Sequence, residues 1–241
     1  MYFNTKTNKV IGFISEEKAE VASAFSAISI DPKCEKYYWI TPYAYCLNNP
    51  VRFVDPDGMI PRIYVETQGT GHTFVTIGQG KNTVVYTYGR YGGLDKDKSS
   101  GRSLSPTGEG VLVRLKGADA LKYIETEVKN KGAKIYEISD GDDKKVAKLF
   151  DKSFDSSDKK PTIGRFKDSE NARVIDQYDI SNNNCTTKSV EAVQAGTDGK
   201  FQVESKTPDG IETKLQYKSE EDNSNIKQIP YKKIKDEYNQ K

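Results

Sequence analysis

The sequence predicts an α+β domain in which an antiparallel sheet packs with helices, and three observations carry that prediction. Between residues 63 and 88, β-branched and aromatic residues alternate with a period of two on either side of a short turn, the pattern of a hairpin. From residue 118 onward, apolar residues recur at helical spacing between capping residues and glycines, interrupted by further short strand patterns. The 241 residues are 35% hydrophobic and 10% aromatic, enough to bury a core in one or two domains.

The first strand pattern is Ile63-Tyr64-Val65-Glu66-Thr67, closed by Gly69. Residues 72–78 alternate next, with His72, Phe74 and Thr76 on one face. A turn at 79–82 leads to the return strand, 83–88. Residues 92–110 are rich in Gly, Ser and charge and read as a surface loop before a strand at 111–115. A helix opens at Ala118, keeps residues 121, 124 and 128 on one side and ends at Gly132. Residues 134–138 read as a strand, and Asp140 as the cap of a helix holding Val146, Leu149, Phe150 and Phe154. The charged start of that helix, residues 142–145, reads as a solvated face. Residues 174–178, Val-Ile-Asp-Gln-Tyr, form a short run before the polar cluster 181–184. A helix of about three turns then runs from Cys185 to Gly196, with Asn184 as its cap. Residues 201–217 read as a hairpin around Pro208-Asp209-Gly210, and the lysine-rich residues 232–241 as a solvated tail.

Composition excludes several classes of function. Lys and Arg number 37 against 35 Asp and Glu, a net charge of +2, which provides no general attraction for nucleic acid or anionic lipid. No run approaches the 18 apolar residues of a membrane span, so no transmembrane segment is expected. The N-terminus lacks the basic-then-apolar pattern of a secretory signal. Three cysteines exclude a disulfide scaffold, and a single histidine excludes any metal site that needs two imidazoles. Neither a metal nor an organic cofactor is expected.

The composition changes near residue 60. Residues 1–59 hold dense aromatic, Pro and Asn sequence that ends in Cys46-Leu47-Asn48-Asn49-Pro50-Val51-Arg52-Phe53-Val54-Asp55-Pro56-Asp57-Gly58-Met59. This segment, preceded by Ile30-Asp31-Pro32, resembles the end of an Rhs (YD-repeat) shell, where an LNNP…DPxG stretch directly precedes a variable C-terminal toxin. The resemblance divides the chain into an Rhs core remnant, residues 1–59, and a toxin domain, residues 60–241. It implies self-cleavage after Met59 with Asp31 and Asp55 as the protease aspartates, two carboxylates sharing a proton being sound chemistry for activating water. The first element reads Asp31-Pro32-Lys33-Cys34 and lacks the family's glycine, and the shell-forming repeats are absent. The resemblance further implies delivery into a target bacterium by a specialised secretion apparatus through the missing shell, and a cognate immunity protein. Residues 60–241 carry 31 basic and 28 acidic residues, which weakens the case for a nuclease toxin and for a nucleic-acid partner.

The residues that carry chemistry are Cys185 and His72. A cysteine in the first turn of a helix meets the positive end of the dipole and favours thiolate, and histidine is the natural base at neutral pH. A strand-borne His with a helix-borne Cys is the arrangement of papain-like hydrolases. Here Gly71-His72-Thr73-Phe74-Val75 comes first and Asn183-Asn184-Cys185-Thr186-Thr187 last. That order resembles the circularly permuted papain-like group, which includes relatives of NlpC-type peptidases and lecithin:retinol acyltransferase-like enzymes. The resemblance covers residues 62–197 and implies a permuted papain-like fold and a cysteine hydrolase or acyltransferase acting on an amide or ester of peptidoglycan, protein or lipid. In that group a polar residue on the strand after the His orients the imidazole, so Tyr86, Thr87 or Tyr88 would serve, the two tyrosines being the leading choices. Backbone amides at the helix start, those of Cys185 and Thr186, would form an oxyanion hole with Asn184 as a side-chain donor, and Arg90 would grip a carboxylate or phosphate. The competing readings are a toxin that acts by binding and an inactive structural tip with Cys185 merely packed.

Overall fold

The computed structural model describes residues 60–92 and 105–239 and, nearer the N-terminus, the backbone of two strands. The chain forms two compact units, Met1–Val54 and Asp55–Lys241. In the first, β1 (Tyr2–Asn4) and β2 (Lys9–Gly12) pair antiparallel. Asp31, Asp55 and Met59, named for self-cleavage, lie outside the described residues, as do positions 93–104 of the loop.

The second unit is α+β. Its described strands are β3 (Arg62–Glu66), β4 (His72–Ile77), β5 (Val84–Gly89), β6 (Thr107–Lys116), β7 (Lys134–Ile138), β8 (Ala172–Asp179) and β9 (Ile226–Ile229). They form one seven-stranded sheet in the order β8-β6-β5-β4-β3-β7-β9, with every neighbouring pair antiparallel. The described helices are α1 (Gly117–Lys131), α2 (Asp143–Asp155), α3 (Cys185–Gly196), α4 (Pro208–Ser219) and α5 (Tyr231–Asn239).

Strand alternation divides the core into two layers. Ile63, Val65, Val75, Tyr86, Tyr88 and Leu112 pack under α2, α3 and α4, which contribute Val146, Phe150, Val190, Val193, Ile211 and Leu215. On the opposite face Tyr64, Phe74, Val85, Val113 and Ile135 meet Tyr123 and Ile124 of α1 and Ile234 of α5. Helices therefore cover both faces, and each interior strand is buried on both sides.

The structure corrects the sequence reading at its C-terminal end. Residues 208–219 form a helix and not the second arm of a hairpin: Thr207 caps it by accepting from Gly210 N, Pro208 occupies the first turn, and Ile211 and Leu215 share its buried side. Pro-Asp-Gly suits a turn, but Pro after a Thr cap suits a helix start equally well, and the apolar i,i+4 pair decides. Residues 232–241 are not simply a solvated tail, because α5 buries Ile234 and sends Lys233 to Glu137 and Glu237 to Arg62. The cap of α2 is Asp142, which accepts from Lys144 N at 2.8 Å, and not Asp140. β6 begins at Thr107, four residues inside the expected loop, because Thr107–Gly110 pair with residues 176–179 of β8.

Candidate active site

His72 opens β4 directly opposite Glu66 of β3. Gly71 before it has φ +68, and a Cβ there would stand 2.7 Å from Pro208 Cβ and 2.9 Å from the Glu66 carbonyl. Only glycine allows both that conformation and the close approach of α4 to the strand start. The imidazole is buried, 1% exposed, and packs against Phe74 with ring centroids 6.1 Å apart. Its Nε2 lies 2.7 Å from Thr87 Oγ1, whose oxygen also meets Tyr91 OH at 2.8 Å and Tyr123 OH at 3.1 Å. A hydroxyl offers one proton and two lone pairs, so these three partners use all of its capacity. Thr87 thus fixes the ring orientation through Nε2.

Thr87 therefore occupies the orienting position, and Tyr86 and Tyr88 do not. The reason is alternation: Thr87 pairs with Phe74 and shares the His72 face, whereas residues 86 and 88 point to the other face. Tyr86 stacks on Phe150 of α2 at 4.8 Å and donates to Asp151 at 2.9 Å. Tyr88 donates to Asp176, accepts from Asn183 Nδ2 at 3.2 Å and stacks on Tyr178 at 5.8 Å. Burial first, then the Asp151 and Asp176 carboxylates, push both phenols above their ordinary range, so each stays protonated. Gly110 leaves room for the Tyr88–Asp176 pair, since a Cβ there would fall 2.2 Å from the Tyr88 oxygen.

Cys185 is the first residue of α3 and is 6% exposed. Asn184 caps the helix as expected: its Oδ1 accepts from Thr186 N at 2.9 Å and Thr187 N at 3.0 Å, and Thr187 Oγ1 accepts from Asn184 N at 2.9 Å. That geometry removes Asn184 as an oxyanion donor, because its Nδ2 hydrogens go to the carbonyls of Ile180 at 2.7 Å and Lys206 at 3.0 Å. The Thr186 amide is likewise taken by the cap. Thr186 Oγ1 instead meets Thr73 Oγ1 at 3.1 Å, which ties the first turn of α3 to the strand residue after His72.

Alternation sends Thr73 and Val75 toward α3 and His72 and Phe74 toward α1. The imidazole thus does not lie beneath α3. It stands at the first position of its strand, where His72 and Cys185 both line a cavity of about 170 Å³. Arg90, Lys206 and Asp209 also line it. Arg90 Nη1 donates to the Ser105 carbonyl, and its guanidinium lies over Gly108, where a Cβ would come within 2.6 Å of Nε. Lys206 is tethered to Asn182 Oδ1 at 2.8 Å. Two cations against one carboxylate suit a ligand that carries or develops negative charge.

Sequence reasoning missed Tyr91, Tyr123 and the Lys206–Asp209 wall. Tyr123 lies on the apolar stripe of α1, and nothing in a stripe announces that one hydroxyl on it will serve a histidine. Among the described residues no group of three or more His, Cys, Asp or Glu is placed to hold a metal ion, and no helix is long and apolar enough to cross a membrane. Compared with family models, curated proteins and solved structures, the chain matches none.

Proposed function

We propose that the protein is a cysteine-dependent hydrolase or acyltransferase, with a permuted papain-like arrangement of its site, forming the effector end of an Rhs-type antibacterial toxin. The observation that carries the reading is the shared cavity: a thiol in the first turn of α3 and an imidazole oriented through Nε2 by Thr87 line it together. In this reading the imidazole of His72 takes the Cys185 proton, while Thr87 accepts from Nε2–H and donates its own hydroxyl hydrogen bond to Tyr91 or Tyr123. The thiolate attacks the carbonyl of an amide or ester, and the oxyanion is met by the Cys185 amide and the Arg90 guanidinium. His72 then protonates the leaving group, and water or another acceptor resolves the acyl-enzyme. The LNNP…DPxG sequence supports delivery through an Rhs shell, self-cleavage at Met59 by Asp31 and Asp55, and a cognate immunity protein.

The test is growth of bacteria producing the chain, wild type against Cys185→Ala, directed to cytoplasm and to periplasm. Arrest by the wild type alone supports a Cys-dependent toxin and locates its target. Equal arrest by both removes the nucleophile and leaves a toxin that acts by binding. A second reading, a packed structural cysteine, is favoured by the low exposure of both groups and by their assignment to opposite faces of the sheet. Iodoacetamide separates the two. Rapid Cys185 alkylation below neutral pH that slows in His72→Ala fits the enzyme, and inertness in the native protein fits packing.

A further inference from the structure

A second cavity of the described fold is larger than the one lined by His72 and Cys185. It is a groove of about 520 Å³ between α2 and α3, within the size range of small-molecule sites. Residues 145, 148, 149, 152, 153 and 156 line one wall at steps of three and four, a single stripe of α2 running past its end. Lys188, Glu191 and Ala195 of α3 form the other, and the floor is apolar, built of Tyr88, Leu112, Phe150 and Ile175.

The hydroxyl groups of the groove are already satisfied. Ser153 Oγ donates to the Leu149 carbonyl at 3.2 Å and Ser156 Oγ to the Ser153 carbonyl at 2.8 Å, while the Tyr88 hydroxyl is bound to Asp176. Nothing on the floor offers a hydrogen bond to a peptide backbone, which would lie there with its polar groups unmet. The lysines differ among themselves. Lys145 is paired with Asp198 at 2.6 Å and Lys188 with Asp176 at 3.1 Å, but Lys148 and Lys152 form no ion pair among the described residues. These two stand one helical turn apart on the same rim, and Glu191 is the carboxylate facing them across the groove.

We infer that this groove binds a single-chain anionic amphiphile, its alkyl chain along Leu149 and Ile175, the accessible apolar side chains of the groove, and its head group between Lys148 and Lys152. Lysine is a point charge that suits a phosphate or carboxylate head, and the apolar floor suits a chain with nothing to hydrogen-bond. The groove and the cavity lined by Cys185 share no lining residue, although the stacked Tyr88 and Tyr178 make them neighbours. The inference goes beyond the catalytic reading and does not need Cys185 to react.

The test is calorimetric titration of the 241-residue protein with dodecyl phosphate below its micellar concentration. One saturable site is expected, weakened roughly tenfold or more in Lys148→Glu/Lys152→Glu. Ala195→Trp, which fills the groove, should abolish binding, and Cys185→Ala should bind like the wild type. Circular dichroism establishes that the variants fold. Equal affinity for inorganic phosphate would reduce the site to an anion contact, and equal affinity for dodecyl maltoside would remove the lysines from it. Either result, absence of saturable binding, or binding indifferent to both groove variants overturns the inference.

Discussion

At the scale of single residues, the site turns on a threonine. Thr87 Oγ1 is the partner of His72 Nε2 at 2.7 Å, and a hydroxyl that accepts Nε2–H favours the imidazolium. Thr87→Val keeps the shape and removes that acceptor. If His72 and Cys185 exchange a proton, the imidazolium becomes less stable and the thiolate fraction at pH 5–6 falls. The expected outcome is an iodoacetamide rate at acid pH lowered about threefold to tenfold, the effect of one hydrogen bond near 1 kcal/mol. The same variant leaves the Tyr91 and Tyr123 hydroxyls short of a partner and should lower stability by about 1–3 kcal/mol. A purely structural threonine would produce the stability loss and leave the pH profile of alkylation where it was. Gly71→Ala tests the neighbouring position. At φ +68, with Pro208 Cβ 2.7 Å from the added methyl, it should cost more than the roughly 1 kcal/mol of an unhindered left-handed alanine and shift α4 away from the strand start.

At the scale of elements, the loop from 180 to 184 and the start of α3 act as one piece, because Asn184 joins the helix amides to the carbonyls of Ile180 and Lys206. Loss of an ordinary N-cap costs about 1 kcal/mol. Asn184→Ala should exceed that, since two further carbonyls lose their donor, and it should change the Cys185 alkylation rate as the first turn loosens. Asn184→Asp, which keeps the Oδ1 acceptor but not the donors, should recover part of the stability in a thermal melt. This element was legible in the sequence, because Asn before an apolar helix is a signal with a local cause, and so was the hairpin of β4 and β5. Thr87 was nearly legible: alternation from His72 fixes which face its partner must share, but the tyrosines on either side carry the more conspicuous hydroxyls. The helix at 208–219 was misread because Pro-Asp-Gly has two local solutions, and packing of Ile211 and Leu215 chooses between them. β9 and α5 were not legible at all. Their partners, Glu137 and Arg62, lie far back in the chain, and no local pattern records a contact at that separation.

At the scale of the whole domain, α5 closes the sheet's far end through a buried ionic cluster, and stability should follow its protonation. The Arg62 side chain is 0% exposed, and it binds Glu137 at 2.8 Å and Glu237 at 2.8 Å; Lys233 reaches Glu137 at 2.7 Å. Burial alone would push the Glu137 carboxyl up, but the hydrogen bond from Lys233 and the charge and hydrogen bond of Arg62 outweigh it and hold it below the usual carboxylate range. A carboxyl depressed in the folded state contributes stability that is complete above its unfolded value, about 4.3, and is lost as pH falls through the folded value. The wild-type melting temperature should therefore fall as pH drops below about 4, and Glu137→Gln should flatten that part of the profile while lowering stability at pH 7. Removing residues 231–241 deletes Lys233, Glu237 and the buried Ile234 together. Ile234 alone is worth about 1.5–3 kcal/mol of burial, and Arg62 and Glu137, though they keep each other, each lose one charged partner. A truncated chain should thus melt below the full one, by differential scanning calorimetry at pH 7. An unchanged melting temperature would mean that the C-terminal lysines are the solvated tail their composition suggests, and that the Arg62–Glu137 pair is sufficient without α5.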